Sequence, residues 1–279
     1  MRKFTDPAKL QKWCRARRLA GAKIALVPTM GSLHEGHLSL IAEARRRGAE
    51  EIVVSVFVNP VQFGPNEDYA KYPRDEKGDL AKCRAAGATA VFMPPPEAMY
   101  LNRHSVSVDE TDLSRGLCGA RRPGHFRGVC TVVAKLFNIV GPDIAVFGQK
   151  DFQQAQVIKR MVRDLNFDVR IVVAPIVREP GGLARSSRNA YLSEEEKAAA
   201  LAISRTLSAI KARAAKSPCS AKPALAKAAA ALGRAGLKVD YVECVCAETL
   251  EPARSIGPGT CVLAAAYAGG TRLIDNVLV

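Results

Sequence analysis

Aromatic residues are scarce in this chain: nine Phe, six Tyr and one Trp come to only 6%. That is thin for a protein that stacks nucleobases on aromatic platforms. No apolar run reaches the ~18 residues needed to span a bilayer. The basic start (Arg2, Lys3, Lys12, Arg15, Arg17, Arg18) is interrupted by Asp6. The apolar run after it, Ile24 to Val27, falls short of the ~7–15-residue core of a signal peptide, so a cytoplasmic protein with no membrane partner is expected. The eight cysteines include no C-x-x-C pair, the closest two being Cys244 and Cys246. Zinc sites need better-defined spacings. Several cysteines lie in apolar runs, where Cys is a small core hydrophobe, and free thiols are expected. Histidine is rare too, with four in the chain, and the zinc-protease pattern H-E-x-x-H is absent. No internal repeat is evident.

What is present is the composition of an ordinary globular protein, 48% hydrophobic and 24% charged over 279 residues. That length suits one large domain or two modest ones. Forty-one Lys and Arg against twenty-seven Asp and Glu leave a net charge of +14. Such a surplus fits anionic partners, from nucleotides and carboxylates to nucleic acid, or simply solvated helix faces.

The continuous β-branched runs KIALVPT (23–29), EIVVSVFV (51–58), DIAVFG (143–148) and VRIVVAPIV (169–177) read as strands buried on both faces. Helical spacing separates them after His37, near 76–86, over 128–140 and over 152–165, with a short strand near 89–93. This alternation implies βαβ units and a parallel sheet, an α/β fold. After about residue 175 the pattern changes. Ser193 to Glu196 is a capping box opening an Ala-rich helix, Ser217-Pro218 breaks it, and a second helix covers 221–235. Strands near 238–245, 260–267 and 271–275 complete a smaller α+β unit.

Five clusters lie at loops or strand-to-helix turns, where open α/β sheets bind ligands. The first runs from Met30 through Gly31, Ser32, Leu33, His34, Glu35 and Gly36 to His37. Its glycines let backbone N–H groups approach an anion, and two imidazoles three residues apart suit developing phosphoryl charge. The second is Gly148-Gln149-Lys150-Asp151, with Lys150 as a point charge and Gln153 and Gln154 opening the next helix. Asp151 reads equally as an N-cap. The third, Arg185-Ser186-Ser187-Arg188 after Gly181-Gly182, suits gripping phosphates. The fourth, Asn59 to Gly64 with Gln62, continues through Pro65 and Asn66 and offers neutral amides to an uncharged polar group. The fifth, Pro123 to Gly128, reads as loop architecture with His125 structural. Together they indicate a nucleotide-phosphate site.

PTMGSLHEGHLSLI, SVFVNPVQFG, RPGHFRGV, FGQKDFQQ, SSRNAYLS and RLIDN, in order from about 23 to 276, resemble the pantoate–β-alanine ligase (pantothenate synthetase) family. The resemblance implies a Rossmann-like N-terminal domain of the HIGH nucleotidylyltransferase type, residues 1–176, and a smaller C-terminal α+β lid domain, 177–279. It further implies a homodimer, and condensation of pantoate with β-alanine through pantoyl adenylate, with ATP split to AMP and pyrophosphate. By matching position, Met30 to His37 would hold ATP, with His37 catalytic and His34 assisting. Gly148 to Asp151 would grip the nucleotide, Lys150 on phosphate. Val177 would meet adenine through its backbone, and Arg185 to Arg188 would act as a phosphate loop, with Arg188 among the catalytic cations. Gln62 and Gln154 would bind pantoate, with Gln62 also near β-alanine. Mg²⁺ would bridge the phosphates, with Asp79 as its protein contact. Three departures stand out: Gln149 where Glu is usual, Arg185 where Met or Leu is usual, and Glu179-Pro180-Gly181-Gly182 for the usual acidic-Gly turn. The rival readings are another adenylyl or nucleotidyl transferase, which has less need of paired amides, and a basic nucleic-acid-binding module, for which no motif is present. A tRNA synthetase is disfavoured, since this length leaves little room for anticodon recognition.

Overall fold

The first ordered elements are ones that hydrophobic periodicity does not announce. Strand β1 (Arg2–Phe4) is followed by helix α1 (Pro7–Leu19), whose N-cap Asp6 accepts the amides of Ala8 and Lys9 and whose Pro7 is pre-set for a first helical position. The chain then alternates through β2 (Ile24–Thr29), α2 (Glu35–Arg46), β3 (Glu51–Val56), a 3-10 turn at Pro60–Gln62, α3 (Glu76–Ala85) and β4 (Ala90–Phe92). Short helices α4 (Pro96–Met99) and α5 (Leu117–Arg121) precede α6 (His125–Val140), β5 (Ile144–Gly148), a 3-10 turn at Gln149–Asp151, α7 (Phe152–Asp164) and β6 (Arg170–Ala174). This computed structural model describes residues 1–65 and 67–279, so Asn66 of the expected polar loop lies outside the described residues.

These strands form one parallel sheet in the order β1-β4-β3-β2-β5-β6. Starting from β2, the chain builds β3 and β4 to one side and β5 and β6 to the other, so the topological switch point lies between β2 and β5. Ala25, Val27, Ile52 and Val54 face a core shared with Leu40, Ile41 and Ala44 of α2 and Cys83 of α3. The alternate residues Ile24, Leu26 and Val53 are equally buried, as a sheet covered on both faces requires. Each such Ile or Leu stabilises the fold by ~1.5–3 kcal/mol relative to exposure.

The remaining elements are α8 (Glu194–Lys216), β7 (Cys219–Ser220), α9 (Ala221–Arg234), β8 (Lys238–Cys246), β9 (Ser255–Ile256), β10 (Thr260–Ala268) and β11 (Thr271–Leu278). The expected capping box is present: Ser193 accepts the Glu196 amide while Glu196 accepts that of Ser193. Strands β11, β10 and β8 form an antiparallel sheet, on which α8 and α9 pack through Ile203, Leu207 and Leu232 against Val262, Ala264 and Ala266.

Two compact units result. One comprises Met1–Gly148 with Gln154–Pro175, the other Gln149–Gln153 with Ile176–Val279. The chain therefore enters the second unit briefly at the Lys150 turn before returning to the first. All eight cysteines are free thiols. Among the described residues, no helix is long and apolar enough to cross a membrane.

Candidate active site

Helix α2 starts earlier than the apolar pattern after His37 implies, because a histidine caps it. His34 sits at the N-cap in extended conformation, and its Nδ1 accepts the Gly36 amide at 3.1 Å. Nδ1 of His37 accepts the His34 amide at 3.3 Å. The two rings lie side by side, centroids 4.1 Å apart. An imidazole whose Nδ1 accepts an amide carries its proton, when neutral, on Nε2. The cap thus fixes the tautomer of both neutral rings, with the proton on Nε2.

The amides of this turn are used differently from the expectation. Gly31, at φ 83°, donates to Thr29 Oγ1. Ser32 and Leu33 donate to the two carboxylate oxygens of Asp79, at 2.9 and 2.7 Å. Gly36 serves the helix cap, donating to His34 Nδ1. Asp79, expected at Mg²⁺, is only 1% exposed. Burial pushes its carboxyl above the usual range, and the two amides pull it part of the way back.

A second cluster supports Gln62, which is 8% exposed in the 3-10 turn after β3. Its Oε1 accepts from Asn59 Nδ2 at 3.0 Å, and its Nε2 donates to Met30 Sδ at 3.3 Å. Asn59 also donates to the Gly128 carbonyl and accepts the Tyr100 hydroxyl. The expected loop at 123–128 is in fact the first turn of α6, entered through Gly124 in the left-handed region. From that turn, His125 Nδ1 donates to the Gln62 carbonyl at 2.9 Å, while its Nε2 faces Arg122 Nη1 at 3.0 Å. Since a carbonyl only accepts and a guanidinium only donates, this geometry is met by a neutral ring. Arg122 in turn forks onto Glu67 through Nε and Nη2. Burial would raise the Glu67 carboxyl, but the Arg122 hydrogen bond and charge outweigh it and hold Glu67 below its ordinary value. Gln154, by contrast, is half-buried in the first turn of α7.

In the second unit, Asn276 fastens the Lys150 turn. Its Nδ2 donates to the carbonyls of Gln149 and Lys150 at 2.9 and 3.1 Å, and its Oδ1 accepts Gln149 Nε2 at 3.1 Å. Gln149, the departure from Glu, is therefore a donor here where a carboxylate would repel Asn276 Oδ1. Next to Asn276, Asp275 takes a two-pronged bond from Arg178 at 2.7 and 2.9 Å. The other two departures meet each other: Arg185 Nη1 pairs with Glu179 Oε1 at 3.1 Å, and Asn189 Nδ2 donates to the same oxygen at 2.8 Å. Val177 accepts the Arg185 amide, and Ser186 caps the turn that carries Ser187 and Arg188. Asn59, Asp275 and Asn276 stood inside recognised motifs, but nothing in their spacing assigned them a supporting role.

A doubly wound parallel sheet with a tautomer-locked histidine pair at its switch point defines a nucleotide-dependent α/β enzyme. A profile of the pantoate-beta-alanine ligase family matches residues 2–278, and the chain belongs to that family of ligases. The pantothenate synthetase of Myxococcus xanthus (strain DK1622) is 54% identical over 273 residues, covering 97% of this chain and 93% of its own. That of Anaeromyxobacter dehalogenans (strain 2CP-C) is 56% identical over 279 residues, covering 98% and 96%. Among solved structures, pantothenate synthetase from Thermus thermophilus superposes with a TM-score of 0.91 at 43% identity over 99% of each chain. The pantoate-beta-alanine ligase from Francisella tularensis, complexed with beta-gamma ATP and beta-alanine, gives 0.84 at 31% identity over 100% of this chain and 97% of that one.

Proposed function

We propose that this protein joins pantoate to β-alanine, using ATP and releasing AMP and pyrophosphate. The observation that carries the reading is the 3.3 Å contact between Gln62 and Met30. It sets an amide suited to a hydroxy acid directly against the turn that bears His34 and His37. The family membership supplies the substrates.

In the first step a pantoate carboxylate oxygen attacks the α-phosphorus, and the bond to pyrophosphate breaks. Attack by one anion on another is slow unless charge is neutralised. The Nε2–H groups of His37 and His34 donate to phosphate oxygens, and Lys150 and Arg188 bring positive charge. Among the described residues the Lys150 ammonium has no hydrogen-bond or ion-pair partner, which leaves it available to a phosphate. Val177 meets adenine through its backbone. Gln62 and Gln154 orient pantoate so that its carboxylate is in line, and such positioning supplies much of the remaining barrier reduction. In the second step the β-alanine amine attacks the acyl carbon, AMP leaves, and the amine gives up a proton. The loop 181–188 shields the adenylate from water. With Arg185 paired to Glu179, Arg188 is the better phosphate contact of that loop.

Mg²⁺ accompanies ATP as the ion of the triphosphate itself. We read Asp79, buried and with each oxygen accepting an amide, as a support of the turn rather than as the ion's contact, and among the described residues no trio of His, Cys, Asp or Glu is grouped to hold a metal. No step is assigned to it. The enzyme acts in the cytoplasm and as a homodimer, the homodimer being supported by the family resemblance. The test is ATP-dependent pyrophosphate release with pantoate and β-alanine each present or absent. AMP and pantothenate are expected only with all three. No pyrophosphate under any condition would overturn the reading, and pyrophosphate release with a nucleotide precursor in their place would favour another adenylyl transferase.

A further inference from the structure

The turn between β2 and α2 is not held by a backbone ladder. Ser32 lies at φ 50°, in the left-handed region, where an L-residue is disfavoured. What holds it comes from one face of α3. Asp79 accepts both Ser32 and Leu33 amides, and Lys82, three residues on, donates to the Leu33 carbonyl at 2.8 Å. Residues three apart on a helix share a face, so one turn of α3 grips the Leu33 peptide by both its ends. Gly31 leaves room for the grip: a Cβ there would lie 2.9 Å from Asp79 Oδ2 and 3.0 Å from Val56 Cγ1. Asp79 thereby takes the Ser32 and Leu33 amides, while Gly31 donates to Thr29 Oγ1, His34 to His37 Nδ1 and Gly36 to His34 Nδ1. A glycine-rich phosphate loop works the other way, aiming its amides outward.

We propose that Asp79, assisted by Lys82, is the positioning residue of the nucleotide turn: by drawing the Ser32 and Leu33 amides inward it leaves phosphate to be read by the imidazoles, and it acts on the turn rather than on the metal. The inference rests on the proposed role of this turn in holding ATP. A carboxylate accepting two amides fixes the direction in which His34 and His37 leave the backbone. Asn at 79 retains one acceptor oxygen and turns a donor NH₂ toward the other amide, so the turn rotates while the fold persists.

The test uses the full-length chain with Asp79→Asn and Lys82→Met. Expected for Asp79→Asn is a KM for ATP raised by roughly ten- to a hundredfold, the effect of a misplacement of about 1 Å at the chemistry. The KM values for pantoate and β-alanine and the Mg²⁺ concentration for half-maximal activity should stay within about twofold. Lys82→Met should move the ATP KM in the same direction by less. An Asp79→Asn enzyme rescued by excess Mg²⁺ would establish a metal contact and overturn the proposal, as would an unchanged ATP KM. Amide NMR gives a readout independent of turnover. In the wild type, Ser32 and Leu33 should resonate downfield and exchange slowly, and one of them should lose both properties in Asp79→Asn. Unmoved amides overturn the clamp. Should Asp79→Asn fail to fold, Gly31→Ala strikes the same carboxylate from the opposite side and must raise the ATP KM alike. If the wild type itself releases no pyrophosphate, the proposed reaction fails while the amide shifts still decide the clamp.

Discussion

Replacing Gly128 by alanine sets two effects of opposite sign against each other. In a helix interior the change should stabilise by up to ~1 kcal/mol, since alanine is the better helix former. Gly128, however, faces the 3-10 turn that carries Gln62. A Cβ there would lie 2.4 Å from the Val61 carbonyl oxygen, 2.6 Å from Gln62 Cα and 2.7 Å from Gln62 N. The nearest of these falls about 1 Å short of ordinary contact, which begins near 3.4 Å. All three neighbours are backbone atoms, which cannot swing aside as the end of a long side chain can. Such overpacking costs ~1–3 kcal/mol, so the clash wins. The turn must shift by about 1 Å, and displacement of that size near the chemistry costs ~10²-fold in rate. It also strains the His125–Gln62 and Asn59–Gly128 hydrogen bonds. We expect kcat/KM for pantoate to fall about a hundredfold, with the KM for ATP moving far less, and a melting temperature lowered by a few degrees, at ~2–4 °C per kcal/mol. Steady-state pyrophosphate release and thermal unfolding read both. A variant that melts higher and keeps its pantoate KM would refute the argument that α6 positions Gln62.

Three further expectations bear on the same machinery. His37→Ala should reduce turnover by ~10²–10³-fold, the typical loss of one transition-state donor, with the circular dichroism spectrum preserved; near-normal turnover would remove His37 from the chemistry. Gln154→Ala should raise the pantoate KM more than the ATP KM, and equal effects on both would speak against a pantoate contact. Glu67→Gln should destabilise the protein at neutral pH, because the Glu67 carboxyl is held below its ordinary value of 4.5. A depressed carboxyl contributes stability above its unfolded value and loses it as pH falls through the folded one. Urea titrations should therefore show the wild-type advantage intact at pH 7 and lost as pH falls below 4.5; an advantage independent of pH would exclude the ion pair as its source.

Much of the parallel sheet was legible because β2, β3 and β5 are continuous apolar runs that only a sheet covered on both faces accepts. The capping box at Ser193 was legible for a similar reason, since its residue types have one common local use. By contrast, β1 is three residues long and α1 buries little beyond Leu10 and Cys14, so neither leaves a strong apolar period. The starts of α2 and α6 were misplaced because a histidine caps one, and a left-handed glycine with no side-chain cap opens the other. At the site, residue types and motif order pointed to the His34–His37 turn and to Gln62. They could not reveal how those groups are held. A carboxylate 47 positions away in sequence from the amide it binds, or a backbone carbonyl grasped by His125, leaves no spacing to read. Arg185 illustrates the limit well: as a residue it reads as an added cation, and only its contact with Glu179 shows that charge already answered.

The bond between Asn276 and the Lys150 turn joins residues more than 120 positions apart, and its consequence concerns assembly order. On a ribosome the parallel sheet can close once β6 has emerged, but the segment Gln149–Gln153 must wait for the last strand before its carbonyls find their donor. Formation of the Lys150 turn is thus tied to the arrival of β11. A chain lacking β11 can finish the core of the parallel sheet yet lack a formed lysine turn. Such a chain also lacks Leu273 and Val277 from the core of the smaller unit, so the unformed turn and an exposed apolar face arise together.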